Sequence, residues 1–114
     1  MRFTTSLKNN YEFRRLYSKG KNAASQYAVV YCRKSRSPVN KLGLTVSTKI
    51  GKAVVRNRVR RRYKEIYRLN EDQFDAGYEI VIVARAKSRN ARYYELEADF
   101  LNLCKKLGVC GNKK

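Results

Sequence analysis

The stretch Lys49-Ile50-Gly51-Lys52-Ala53-Val54-Val55-Arg56-Asn57-Arg58-Val59-Arg60-Arg61-Arg62-Tyr63-Lys64 holds five arginines within seven positions, 56–62, broken only at Asn57 and Val59 by a side chain of another kind. At about 100° per residue, Val55, Val59, Tyr63, Ile66 and Leu69 fall within one arc of a helix. Arg56, Asn57, Arg60, Arg61, Lys64 and Arg68 fall on the opposite arc. One face can bury, and the other stacks cations about 5–6 Å apart. Glu65 is the only acid in this segment, so the usual Glu–Lys lacing is missing. Like charges at this spacing weaken an isolated helix. An anionic partner spanning several positions removes that cost, and a nucleic-acid backbone is such a partner.

Working outward, Leu42, Leu44 and Val46 alternate with Gly43, Thr45 and Ser47, which predicts a strand just before the helix. Residues 33–40, with the sole proline Pro38, read as a loop. From Tyr27 to Arg33 the period is again two. Ala28, Val30 and Cys32 form a compact apolar face suited to a core. Tyr27, Val29, Tyr31 and Arg33 form a mixed aromatic and basic face, suited to stacking unpaired bases. A short strand is expected at 21–25. A first helix over 9–19 is capped by Asn9 or Asn10 and stopped by Gly20, with Phe13, Leu16 and Tyr17 on one face and Arg14 and Arg15 beside them.

On the other side of the basic helix, Asn70 is a stop and residues 71–77 form an acidic turn. Tyr78 to Ala84 is nearly continuous apolar sequence, predicting a strand buried on both faces. A basic loop follows over 85–91, then a helix over 93–107 with Leu96, Phe100, Leu103 and Leu107 on one face, ended by Gly108. Residues 111–114 are expected to fray. With no repeat and no linker, residues 1–114 read as one domain.

The formal charge is +18, and it is unevenly placed. Residues 1–70 contain 19 of the 27 basic side chains but only Glu12 and Glu65 among acids; residues 71–114 are nearly balanced. The basic surface therefore belongs to residues 1–70, which is not the pattern of a general solubility charge. No apolar run reaches membrane-span length and the N-terminus has no signal-peptide core, which predicts a cytoplasmic protein. Cys32, Cys104 and Cys110 are odd in number and lack metal-site spacing, so they read as reduced, with Cys32 and Cys104 filling the core. Histidine is absent, which excludes Ser–His and Cys–His nucleophile pairs. The carboxylate pairs Glu71–Asp72 and Glu95–Asp99 sit in the neutral half, away from the basic face. No catalytic residue and no metal site is assigned. A protein-only nuclease needs clustered carboxylates or a histidine by the basic surface, and the sequence shows neither.

Leu7 with Phe13 and Gly20, Val30-Tyr31, Gly43-Leu44-Thr45-Val46-Ser47, the block from Lys49 to Arg61 and Ile82-Val83-Ala84-Arg85 together resemble the protein subunit of bacterial ribonuclease P. The resemblance spans nearly the whole chain, and the Lys-x-Gly-x-Ala-x-x-Arg-Asn-Arg block is its most specific part. It implies an α/β (α+β) two-layer sandwich of order αβββαβα. The expected sheet is mixed and four-stranded, ribosomal-protein-like, with a left-handed βαβ crossover where general rules favour a right-handed one. It implies a partner, the catalytic RNA subunit, which with Mg²⁺ removes the 5′ leader from precursor tRNA. It places Arg56, Asn57, Arg58, Arg60 and Arg61 on the surface for the RNA subunit, to which the helical pattern adds Lys52, Lys64 and Arg68. It places Phe13, Tyr17, Val29 and Tyr31 in a leader cleft, to which the strand and helix patterns add Arg14, Tyr27 and Arg33. Arg62 departs from the family, in which an aliphatic residue is more usual. The protein alone is expected to be a monomer. The alternative reading is a small basic ribosomal protein acting only as a scaffold.

Overall fold

The computed structural model describes residues 4–7 and 9–111. In chain order the elements are β1 (Thr4–Ser6), α1 (Asn10–Lys19), β2 (Lys21–Ala24), β3 (Ala28–Lys34), β4 (Asn40–Thr45), α2 (Ala53–Asn70), β5 (Tyr78–Ala84) and α3 (Tyr93–Leu107). The strands form one mixed sheet in the order β1-β4-β5-β3-β2. β4 and β5 are adjacent and parallel, joined by α2. β5 also pairs antiparallel with β3, from Ala28 opposite Ala84 to Lys34 opposite Tyr78. It is therefore the central strand, as its unbroken apolar run predicts.

The α+β class stands, and the structure adds to it. A fifth strand, β1, runs parallel to β4 at the sheet edge, with Thr4 opposite Asn40 and Ser6 opposite Leu42. The sequence Thr-Thr-Ser gives it no apolar alternation to be read by. The larger core lies on the α2–α3 face of the sheet and gathers Val30, Ile80 and Ile82 with Val59, Tyr63, Ile66, Leu96, Phe100 and Leu103. The opposite face carries α1, where Leu16 and Leu7 bury against Val81. α1 thus forms a partial third layer that a two-layer description omits.

The buried stripe of α2 is Val59, Tyr63, Ile66 and Tyr67, while Leu69 is 57% exposed. The expected stripe ended on Leu69. The helix turns instead so that Tyr67 reaches a buried polar cluster. Asn40 Nδ2 donates to the Tyr67 hydroxyl at 3.3 Å and to Asp75 O at 3.0 Å, and its Oδ1 accepts from Tyr78 N at 2.8 Å. Thr4 Oγ1 donates to Glu71 Oε2 at 2.6 Å and lies 2.8 Å from the Tyr67 hydroxyl, which must therefore donate to it. Asn40, expected in a loop, is the buried first residue of β4.

The loop 85–91 contains a 3₁₀ turn, Ala86–Asn90. Gly20 ends α1 with φ −80°, not in the left-handed region. It is glycine for space: a Cβ there would sit 2.6 Å from Leu16 O and 2.8 Å from Cys32 O. All three cysteines are free and buried, Cys110 included. The expectation of a frayed end falls, beyond Gly111, outside the described residues.

Candidate RNA-binding surfaces

α2 begins after Lys52, which is exposed at its N-cap. Asn57, Arg61, Lys64 and Arg68 are exposed along its outer face, and with Arg60 they line a shallow groove of about 400 Å³. Arg60 Nη1 donates to Asn57 Oδ1 at 3.4 Å. Arg68 pairs with Glu65, and this contact lowers the Glu65 carboxyl pKa. Among the described residues Arg61 and Lys64 have no such acid partner, so their charge is available to an anion.

Two of the arginines expected on this face lie on its flanks. Arg56 is half-buried, and its Nε donates to Gly51 O at 3.2 Å. Arg58 is half-buried, and its Nη2 donates to Arg89 O at 3.2 Å. Arg62 is also half-buried, donating to Ala91 O at 2.9 Å, so its stem packs while its head finds a carbonyl. Arg89 returns the contact by donating to Ile50 O at 3.1 Å. Arg58 and Arg62 therefore tie α2 to the 89–91 segment, which Arg89 ties in turn to Ile50. The sequence offered no sign of this stitching beyond a basic loop at 85–91.

The aromatic cleft lies on the other face of the sheet. Phe13 rests directly on Gly43, where a Cβ would come within 2.7 Å of its ring. Tyr17 sits one helical turn on, 6.5 Å from Phe13 between ring centroids, and meets Tyr31 edge-on at 5.0 Å. Its hydroxyl is 3.0 Å from Thr45 Oγ1. Asn10, Phe13, Arg14, Tyr17 and Thr45 enclose a cleft of about 560 Å³. Val29 and Tyr31, both half-buried, share one face of β3, where Tyr31 meets Tyr17. Thr45 and Asn10 were not foreseen; Thr45 was legible as a member of the outward-facing set of its strand.

Two residues expected in this cleft lie elsewhere. Tyr27 precedes β3 and packs on the α3 side of the sheet. Burial, then the nearby charges of Glu95 and Asp99, raise its phenol pKa. The alternation that put it beside Tyr31 stops at the turn, where Ser25 Oγ accepts from Tyr27 N. Arg33 does share a face with Tyr31, but α1 crosses between them. On one flank of α1, Tyr17 meets Thr45; on the other, Glu12 pairs with Lys41 at 3.1 Å and Arg15 with Glu79 at 3.2 Å. Arg33 is opposite Glu79 in the ladder and belongs to the second flank.

The sequence profile of the Ribonuclease P family matches residues 1–108. The Ribonuclease P protein component of Clostridioides difficile strain 630 is 42% identical over 107 residues, covering 93% of this chain and 94% of that protein. That of Clostridium botulinum strain Langeland is 43% identical over 104 residues, covering 90% and 94%. Among solved structures, the Staphylococcus aureus RNase P protein superposes with a TM-score of 0.86 at 26% identity, covering 93% of this chain and 97% of that one. The Thermotoga maritima RNase P protein does so with a TM-score of 0.81 at 30% identity, covering 89% and 96%. With the profile spanning almost the whole chain and the relatives matching end to end, this chain belongs to the ribonuclease P protein family.

Proposed function

We propose that the chain is the RNA-binding protein subunit of ribonuclease P, assisting a catalytic RNA in removing the 5′ leader from precursor tRNA. The observation that carries this reading is the pairing of two surfaces of different chemistry. The outer face of α2 offers cations, Arg61 and Lys64 foremost, to a folded RNA, and the cleft under α1 offers Phe13, Tyr17 and Tyr31 to a single strand. A scaffold-only ribosomal protein would leave the cleft without a use. Phosphate contacts are indifferent to sequence and depend on salt, whereas ring stacking selects unpaired bases.

In this reading the reaction itself is the work of the RNA with bound Mg²⁺. The protein's cations lower the repulsion between RNA subunit and substrate, and its rings hold the leader. The protein acts as one copy in the cytoplasm; no helix among the described residues is long and apolar enough to cross a membrane. The test combines this protein with a ribonuclease P RNA and precursor tRNA at low Mg²⁺. The expected result is 5′ cleavage at Mg²⁺ concentrations where RNA alone is slow. Cleavage by rigorously RNA-free protein would overturn the assignment of chemistry to the RNA.

A further inference from the structure

Across α1 from the aromatic cleft lies a second opening of about 410 Å³, walled by Arg15, Arg33, Lys34, Arg36, Lys41 and Glu79. The ladder sets Arg33 on one side of Glu79 and Lys41 on the other. Lys41 is committed to Glu12 and Arg15 to Glu79. Arg33, Lys34 and Arg36 have no ion pair among the described residues. Three neighbouring cations without acids make a phosphate site.

Glu79 supplies a second requirement. It is 3% exposed and meets Arg15 through Oε2 alone. Its Oε1 and the Nε of Arg15 are both buried without a partner among the described residues. One atom needs a donor and the other an acceptor, and a single hydroxyl is both. A base edge also offers donor and acceptor, but it brings no anion to the three cations, and the walls hold no aromatic ring. A trapped water satisfies the two atoms while leaving the three cations unmatched.

We propose that this pocket takes one ribose-phosphate unit of an RNA strand. The phosphate lies on Arg33 and Arg36, and the 2′-hydroxyl lies between Glu79 Oε1 and Arg15 Nε. The Arg15 side chain is 38% exposed, so a small shift that lengthens its contact with Oε2 would admit the hydroxyl between the two atoms. The 2′-hydroxyl is what separates RNA from DNA, and ring stacking in the other cleft does not sense it. The pocket therefore gives this flank of α1 a preference for RNA. The inference rests on the RNA-binding reading above, but on a different set of residues.

The test measures binding of short labelled RNA and DNA strands of one sequence by fluorescence anisotropy. Wild type is expected to favour RNA by roughly tenfold, the scale of one hydrogen bond to a charged group. Glu79→Met should bring the two affinities close to parity. Tyr31→Ala should weaken both strands and leave the ratio intact. Circular dichroism checks that each variant folds. Should Glu79→Met not fold, Arg36→Ala, at an exposed position, replaces it. It is expected to flatten the salt dependence of RNA binding by about one phosphate contact. Titration of Glu79→Met, or of Arg36→Ala in its place, with a ribonuclease P RNA and with precursor tRNA separates the sources: the RNA that loses affinity is the one that enters the pocket. Equal binding of RNA and DNA by wild type means a bridging water only, and overturns the proposal. So does a preference that disappears in Tyr31→Ala, or unchanged binding of both large RNAs.

Discussion

Tyr31 is half-buried, packed edge-on against Tyr17 and next to Val81 and Val83 in the smaller core. Its removal should cost about 0.5–1.5 kcal/mol for the lost aromatic pair, plus a modest packing loss. If the cleft holds the leader, Tyr31→Ala weakens precursor tRNA binding by about 1–3 kcal/mol and leaves mature tRNA, which has no leader, nearly unchanged. Paired affinity measurements on the two tRNAs decide this. Equal loss on both would identify Tyr31 as a packing residue only. Phe13 is less clean as a probe, because its ring also covers Gly43. At this scale the sequence was partly readable. The alternation in β3 separated Tyr31 from Val30 correctly, since a half-buried strand shows both its faces in one line of residues. It failed at Tyr27, because alternation carries no information once the strand has ended in a turn. It also failed at Asn40, whose buried amide serves Tyr67, Asp75 and Tyr78. An asparagine near a proline is statistically a turn residue, and its partners lie at least 27 residues away.

At the scale of elements, helix α2 was legible because Val55, Val59, Tyr63 and Ile66 recur on one side of it and Arg60, Arg61, Lys64 and Arg68 on the other. Asn57, Arg60, Arg61, Lys64 and Arg68 share its outer face as the helical spacing predicts, while Arg56 and Arg58 turn to the flanks. What the sequence did not reveal was the division of labour among its arginines. Arg60 belongs to the outer groove, and Arg62 is spent on Ala91 O. Arg60→Glu should therefore weaken binding to a ribonuclease P RNA and flatten its salt dependence, with circular dichroism unchanged. Arg62→Ala should do the reverse, lowering the melting temperature while the salt slope stays put. The loss is expected near 1–2 kcal/mol, for one charged hydrogen bond and the packed stem. If both variants changed only the salt slope, the stitching role of Arg62 would be wrong. β1 was not legible at all, since a three-residue polar strand owes its existence to pairing with β4 and to the reach of Thr4 toward Tyr67 and Glu71.

For the whole molecule, net charge is the dominant fact. Most of +18 is crowded into residues 1–70, and self-repulsion opposes the compact state. Anions that bind only the folded form stabilise it by mass action. The melting temperature should therefore be higher in sulfate or pyrophosphate than in chloride of equal ionic strength. Each kcal/mol of linkage shifts the midpoint by roughly 4–8 °C in a domain near this size. Identical melting in all three salts would mean that the basic surfaces are not formed anion sites.

The place of β5 in the sheet has a consequence for how the chain is made. β3 and β4 are close in sequence, yet they do not touch as neighbours; β5 lies between them and pairs with both. Until residues 78–84 leave the ribosome, the sheet has a gap at its centre, and α1 lacks Val81 beneath Leu16. The cationic half of the protein thus emerges first, as an unfolded polycation among cellular RNAs, and waits for a strand from the neutral half to close it. Such long-range pairing is slow to form and leaves strand edges open meanwhile. A nascent chain stalled after Asn70 should be protease-sensitive, whereas one released past α3 should be resistant, as a pulse of protease on ribosome-bound chains will show.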